Sequence, residues 1–260
     1  KYKLVKPNIF QAKLTFTFFR KANKNMNKKI KKNFFKTAVL FSAVSLLGCS
    51  APSSNASSSV SSQAESSSSV EITKDGDKTT SQLFAMDTVM NITIYGENGE
   101  KAMKDVINEI EKLDNTFATT NENSDISKIN SEKKSSVSDD TYTLVKRGLE
   151  FFQKTNGVLD ISIYPVVREW GFTTGEYKIP DEQTLSKLKE HIDSNKVKTD
   201  DSTKTISLED DQMLIDLGSI AKGYTSDKIS KIMKNDGIES AVVSLGGNVQ
   251  AVGKKPDGSQ

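Results

Sequence analysis

Apolar residues along this chain fall into two rhythms. Met90, Ile92 and Ile94 alternate with polar neighbours, which predicts a strand over 89–95. Gly96-Glu97-Asn98-Gly99 reads as a turn. Met103, Val106, Ile107, Ile110, Leu113 and Phe117 then recur three and four apart, the spacing of an amphipathic helix over 99–117. A second helix is predicted over 139–155, with Asp139 or Asp140 as N-cap, Tyr142, Val145, Leu149 and Phe152 inward, and Gly157 as its stop. A short helix over 181–191 follows Pro180, and Thr205–Leu208 and 241–245 read as strands. The polar stretch 119–136, which contains Ser124-Asp125-Ile126-Ser127-Lys128-Ile129-Asn130, reads as a surface loop.

One stretch combines both rhythms. Met213-Leu214-Ile215 reads as the end of a buried strand, Asp216 closes it with a carboxylate, and Gly218 permits a tight turn. Ser219 is the expected N-cap of a helix that carries Ile220, Tyr224, Ile229 and Ile232 inward. A helix start leaves backbone N–H groups free for an anion, and Lys222 adds a full positive charge. Carboxylate, turn and lysine together suit a diphosphate, although many strand–helix turns of this kind bind nothing.

A comparable pattern precedes it. The run Val158-Leu159-Asp160 ends on a carboxylate and leads into an aromatic group with the only tryptophan, Trp170. An Asp buried there needs partners, or it costs several kcal/mol, so a capping Asp beside a core Trp is the plain alternative. His191, the only histidine, sits among polar residues and reads as a surface side chain, which leaves a Ser-His-Asp mechanism without support. Gly246-Gly247-Asn248 follows a predicted buried strand and would let backbone approach a ligand closely. The Pro256-Asp257-Gly258 turn normally leads into a further strand, so the chain reads as cut within its last domain.

Charge changes the picture of the N-terminus. The net charge is +2, but residues 1–36 hold twelve Lys or Arg and no acid. Residues 37–260 therefore carry 24 basic against 34 acidic side chains, near −10, which argues against a nucleic-acid surface. Met26 opens an export signal: a basic head, an uncharged run from Thr37 to Gly48, and then Leu46-Leu47-Gly48-Cys49. That ending resembles the bacterial lipobox, whose cysteine is lipidated. The resulting division is a non-native extension over 1–25, a signal over 26–48, a tether over 49–78 and a folded domain over 79–260. Twelve of the 21 residues from Ser50 to Val70 are serine, too polar to bury a core, so the tether is expected to be flexible. One Cys excludes an internal disulfide and a multi-cysteine metal site.

Taken in order, five segments resemble the ApbE family of bacterial FAD:protein FMN transferases. They are Met86-Asp87-Thr88, the stretch from Phe117 to Asn130, the block from Gly157 to Phe172, the motif from Asp216 to Tyr224, and Leu245-Gly246-Gly247-Asn248 through Pro256-Asp257-Gly258. The resemblance implies a single α/β (α+β-like), T-fold-like domain that binds FAD. It implies Mg2+-dependent transfer of FMN to a Thr of an exported acceptor protein, with release of AMP. By position it places FAD contacts at Met86, Val158, Leu159, Asp160, Asp216 and Lys222, and a metal ligand at Ser219. With Cys49 lipidated, the protein is expected on the extracytoplasmic face of the cell membrane. Thr120 departs from the family, which often has an aromatic residue there. A later family segment, whose Asp and Thr bind Mg2+, has no counterpart here, which implies an incomplete metal site. An FAD pyrophosphatase, or a lipid-anchored protein that only binds flavin or another solute, is compatible with the same residues.

Overall fold

The structure is a computed structural model, and it describes residues 70–259. The extension, the signal, Cys49 and the tether before Val70 lie outside the described residues.

Regular structure begins earlier than the composition suggested. Strand β1 (Ile72–Asp75) pairs antiparallel with β2 (Lys78–Ala85), so the tether expected to reach residue 78 gives way to a hairpin. Val70 and Ile72 pack against a hydrophobic core, which is why this short segment joins the sheet. β2 continues into β3 (Thr88–Tyr95), and β3 pairs with β7 (Ser240–Leu245), which pairs with β8 (Asn248–Gly253). All these pairings are antiparallel, in the order β1-β2-β3-β7-β8. β7 is thus paired on both sides, and Gly246 and Gly247, both at positive φ, form the two-residue turn into β8.

Two long helices cover one face of this sheet. Helix α1 (Gly99–Phe117) buries the predicted stripe, from Met103 to Phe117. Helix α6 (Gly218–Asn235) runs antiparallel to it, since Asn98 at the start of α1 donates to the Asp236 carbonyl at the end of α6. The first core joins Met90, Ile92 and Ile94 of β3 to Ala102–Ile110 of α1 and to Ile229 and Met233 of α6.

The second core lies at the other ends of these helices. It gathers Leu113 and Phe117 of α1, Ala221 of α6, and residues of α2 (Asp125–Glu132) and α3 (Asp139–Lys154). A small sheet, β4 (Lys134–Ser136), β6 (Thr205–Leu208) and β5 (Val197–Asp200), closes it. The stretch expected to be a loop therefore contains a helix and a strand. Ile126 and Ile129 are fully buried, and the Ser124 side chain accepts from the Ser127 N–H to start α2. α3 is capped by Ser138 rather than by Asp139 or Asp140. Helices α4 (Tyr164–Glu169) and α5 (Glu182–Lys189) are short, and among the described residues none is long and apolar enough to cross a membrane.

Candidate functional site

The turn between β2 and β3 is made by Met86 and Asp87, at φ 49° and 55°. Left-handed backbone is uncommon for residues with side chains, and two in succession cost energy that surrounding structure must offset. Two contacts hold the turn. Asp114 of α1 accepts the Met86 N–H at 3.0 Å, and Thr225 of α6 donates its hydroxyl to the Met86 sulfur at 3.6 Å. Met86 packs against both cores, so the turn marks the seam between them.

The stretch from Met213 to Asp216 arrives at the same seam. It is buried as expected but is not a strand end: Leu214 makes one isolated parallel bridge with Ile163. Its remaining backbone groups are met mostly by side chains. Asn130 accepts the Ile215 N–H at 2.7 Å and donates to the Ile215 carbonyl at 2.9 Å. Lys133 donates to the Met213 carbonyl at 2.9 Å, and the Asp216 N–H reaches the Ile161 carbonyl at 2.8 Å.

Helix α6 starts at Gly218 without a side-chain cap at Leu217, so Ser219 is inside the helix and is not its N-cap. Asp216 does that work from two residues upstream, accepting the Gly218 N–H at 2.9 Å. A Cβ at position 218 would stand 3.0 Å from the same Asp216 oxygen, so glycine permits the close approach.

Turn, loop and helix start enclose a cleft of about 530 Å3. Asp87, Asp114, Asp216 and Lys222 line it, with Phe84, Phe117 and Phe172 supplying aromatic surface. Burial raises the Asp216 carboxyl above its ordinary range; the Gly218 N–H and Lys222 oppose the rise and Asp87 adds to it. Asp114 is raised too, by burial against the Met86 N–H, with Asp87 adding again. The cleft therefore places one cation beside two carboxylates, Asp216 and Asp114, that resist charging. A second depression of about 590 Å3 shares Gly218 and Lys222 with the cleft and is lined by Ser219, Arg147, Phe151, Asn248 and Gln250.

The structure thus brings Met86, Asp216 and Lys222 together, and sets Ser219 in the adjoining depression. Val158, Leu159 and Asp160 line neither cavity. Val158 is exposed, and the Asp160 carboxylate accepts the Ser162 N–H and hydroxyl and the Ser194 hydroxyl, the work of a loop brace. His191 is not a free surface side chain: it is half-buried, with Nδ1 2.9 Å from Asp210. Asp87 and Asp114 escaped the sequence reading; their signal is an acid inside the Met86-Asp87-Thr88 turn and another beside the apolar stripe of α1. Among the described residues, no group of three or more His, Cys, Asp or Glu is placed to hold a metal ion.

The model of the ApbE family matches residues 86–260. Among curated relatives, an FAD:protein FMN transferase of Vibrio cholerae is 28% identical over 189 residues, covering 66% of this chain and 54% of the relative. One of Treponema pallidum is 26% identical over 180 residues, covering 65% and 50%. The chain spans about half the length of these relatives. The crystal structure of the ApbE protein from Thermotoga maritima is 26% identical, with a TM-score of 0.64 over 68% of this chain and 60% of that one. The flavin transferase ApbE of Vibrio cholerae shares the fold with a TM-score of 0.63 at 23% identity, covering 73% and 62%.

Proposed function

The chain belongs to the ApbE family, and from that premise we propose that its cleft binds FAD and that the whole protein transfers FMN from FAD to a hydroxyl of another protein. The observation that carries this reading is the start of α6. Gly218 and Lys222 stand where two cavities meet, and Asp216 lines the one rich in aromatic surface. FAD has two ring systems joined by a diphosphate, so a cationic helix start between two cavities suits its middle.

In the transfer, the acceptor oxygen forms a bond to the phosphorus on the FMN side, and the bond from that phosphorus to the AMP oxygen breaks. The hydroxyl proton goes to a base and AMP leaves. Charge gathers on the phosphoryl oxygens, so positioning and neutralisation carry most of the catalysis. Lys222 supplies the positive side, and Asp216 holds that helix start in place through the Gly218 N–H. A Thr acceptor and a requirement for Mg2+ enter this reading by family resemblance. Among the described residues, no group of three or more His, Cys, Asp or Glu is gathered for a metal ion, so Ser219 as a ligand rests on that resemblance alone. The same reading extends to location: Cys49 carries the lipid, and the domain works at the outer face of the membrane.

The test is to incubate the full-length protein with FAD, with and without Mg2+, and with and without a Thr-containing acceptor. Labelled acceptor together with AMP is the expected result. AMP alone would mean hydrolysis, and neither product would refute the proposal. Lys222→Ala is expected to weaken FAD binding by about 1.5–3 kcal/mol, the range for a hydrogen bond to a charged group. For the anchor, Cys49→Ala is expected to release the protein from the membrane fraction; unchanged retention and mass would refute it.

A further inference from the structure

The motif from Ser124 to Asn130 has polar residues at close intervals, and the structure gives most of them a task that fixes α2. Ser124 accepts the Ser127 N–H and donates to the Ala118 carbonyl, which also accepts the Ser127 hydroxyl. Asp125 accepts the N–H and hydroxyl of Ser138 and the hydroxyl of Thr141, so it ties α2 to the start of α3. Ile126 and Ile129 anchor the helix in the second core. Asn130 stands in the last turn of this braced element.

Its side chain reaches across 85 residues of sequence and takes both backbone groups of Ile215. In a sheet these two groups would be met by a neighbouring strand. Here one carboxamide replaces that strand, because it carries a donor and an acceptor side by side on one planar tip. Ile215 immediately precedes Asp216, whose carboxylate holds the Gly218 N–H and so sets where α6 begins and where Lys222 stands.

We infer that Asn130 is a positioning residue of the cleft: its double hydrogen bond to Ile215 fixes the path of the chain into Asp216 and the α6 start, and with it the affinity for the FAD diphosphate. This rests on the reading of the cleft as an FAD site. Asn130 makes no contact with ligand in this account, and it acts through Asp216.

A double-mutant cycle tests it. FAD affinity is measured on the full-length protein by quenching of flavin fluorescence, at a temperature where circular dichroism shows each variant folded. Asn130→Ala is expected to weaken FAD about tenfold, and Asp216→Ala at least as much, the scale of losing hydrogen bonds within one polar network. In the Asp216→Ala background, Asn130→Ala should add less than about twofold, because its effect passes through the missing carboxylate. Equal factors in both backgrounds, or no effect of Asn130→Ala alone, would overturn the inference while leaving the FAD reading intact. If Asp216→Ala itself leaves FAD affinity unchanged, the reading of the cleft fails and this inference falls with it. Should Asn130→Ala not fold, Asn130→Asp serves instead: it is nearly isosteric, keeps the acceptor for the Ile215 N–H and loses the donor. Wild-type affinity in that variant would refute the positioning role.

Discussion

The two cores are built on different principles. In the first, apolar side chains repeat with the period of the element that carries them, and the backbone is satisfied by its own ladder. Met90, Ile92 and Ile94 of β3 stand opposite Leu245, Val243 and Ala241 of β7, and all six are buried. In the second, strands are short and much of the chain is irregular. There the backbone is met by side chains: Asn130 at Ile215, Lys133 at Met213, Ser124 at Ala118, Asp160 at Ser162. A ladder holds any sequence of suitable apolarity, whereas side-chain braces need particular residues at particular positions. The cleft lies at the seam, where Met86 touches both cores and the braced segments end.

The sharpest way to break the comparison is to damage each core and read stability and binding separately. Ile92→Ala removes a fully buried side chain from the middle of the first core. Large-to-small changes of this kind cost about 2–5 kcal/mol. Denaturant unfolding should show that loss, while FAD affinity of the folded fraction stays within about twofold. A large fall in affinity in the folded protein would mean that the first core shapes the cleft as directly as the second.

The next effect belongs to the second core. Asp140 of α3 is buried and accepts Lys228 at 2.7 Å and the Tyr224 hydroxyl at 2.6 Å, both from α6, and Lys112 of α1 at 3.0 Å. One carboxylate therefore joins three helices. Burial alone would raise its pKa, but the hydrogen bonds from Lys228, Tyr224 and Lys112 outweigh burial and bring it down to about 2. Asp140→Asn is expected to cost about 1.5–3 kcal/mol, the range for hydrogen bonds to a charged group. The sign with pH follows from the depressed value. The contribution is complete above the unfolded carboxyl value of about 3.9 and is lost as pH falls towards 2. Wild type and variant should therefore converge in stability between those two values. A difference that stays constant down to pH 2 would show that the cost is one of packing and not of charge.

The same contrast explains what could be read from the chain alone. α1 was legible to the residue, because six apolar positions at helical spacing leave one solution. The sheet strands β3, β6 and β7 were legible for the corresponding reason. α2 was not, because only Ile126 and Ile129 in it are buried and its start is fixed by Ser124, whose capping bond looks like loop chemistry in a polar stretch. The Met213–Ile215 stretch misled in the opposite direction. Three buried apolar residues imitate a strand end, and nothing in their own pattern shows that Asn130 stands in for the missing neighbour. Asp216 and Lys222 stood out through the carboxylate–turn–lysine pattern, Met86 through motif resemblance alone, and Asp87 and Asp114 emerge only when hairpin and helix are placed side by side.

The smallest expected effect separates two tasks of one brace. Ser124 caps α2 by accepting the Ser127 N–H at 2.9 Å, and its hydroxyl donates to the Ala118 carbonyl at 2.5 Å. Ala118 follows the end of α1 and lines the cleft. Replacement of a capping serine by alanine costs about 1 kcal/mol, and in a domain of this size that lowers Tm by about 2–4 °C. Ser124→Asp keeps an oxygen to cap the helix but has no proton to give Ala118. If the cap alone matters, Ser124→Asp recovers the stability lost in Ser124→Ala. If the tie to Ala118 matters as well, Ser124→Asp stays below wild type, because an ionised carboxylate then faces a carbonyl oxygen from which it can only recoil. The braced character of the second core predicts the latter outcome, with a measurable loss of FAD affinity through the displaced 118–120 wall of the cleft. Full recovery of both stability and affinity in Ser124→Asp would reduce this brace to an ordinary helix cap.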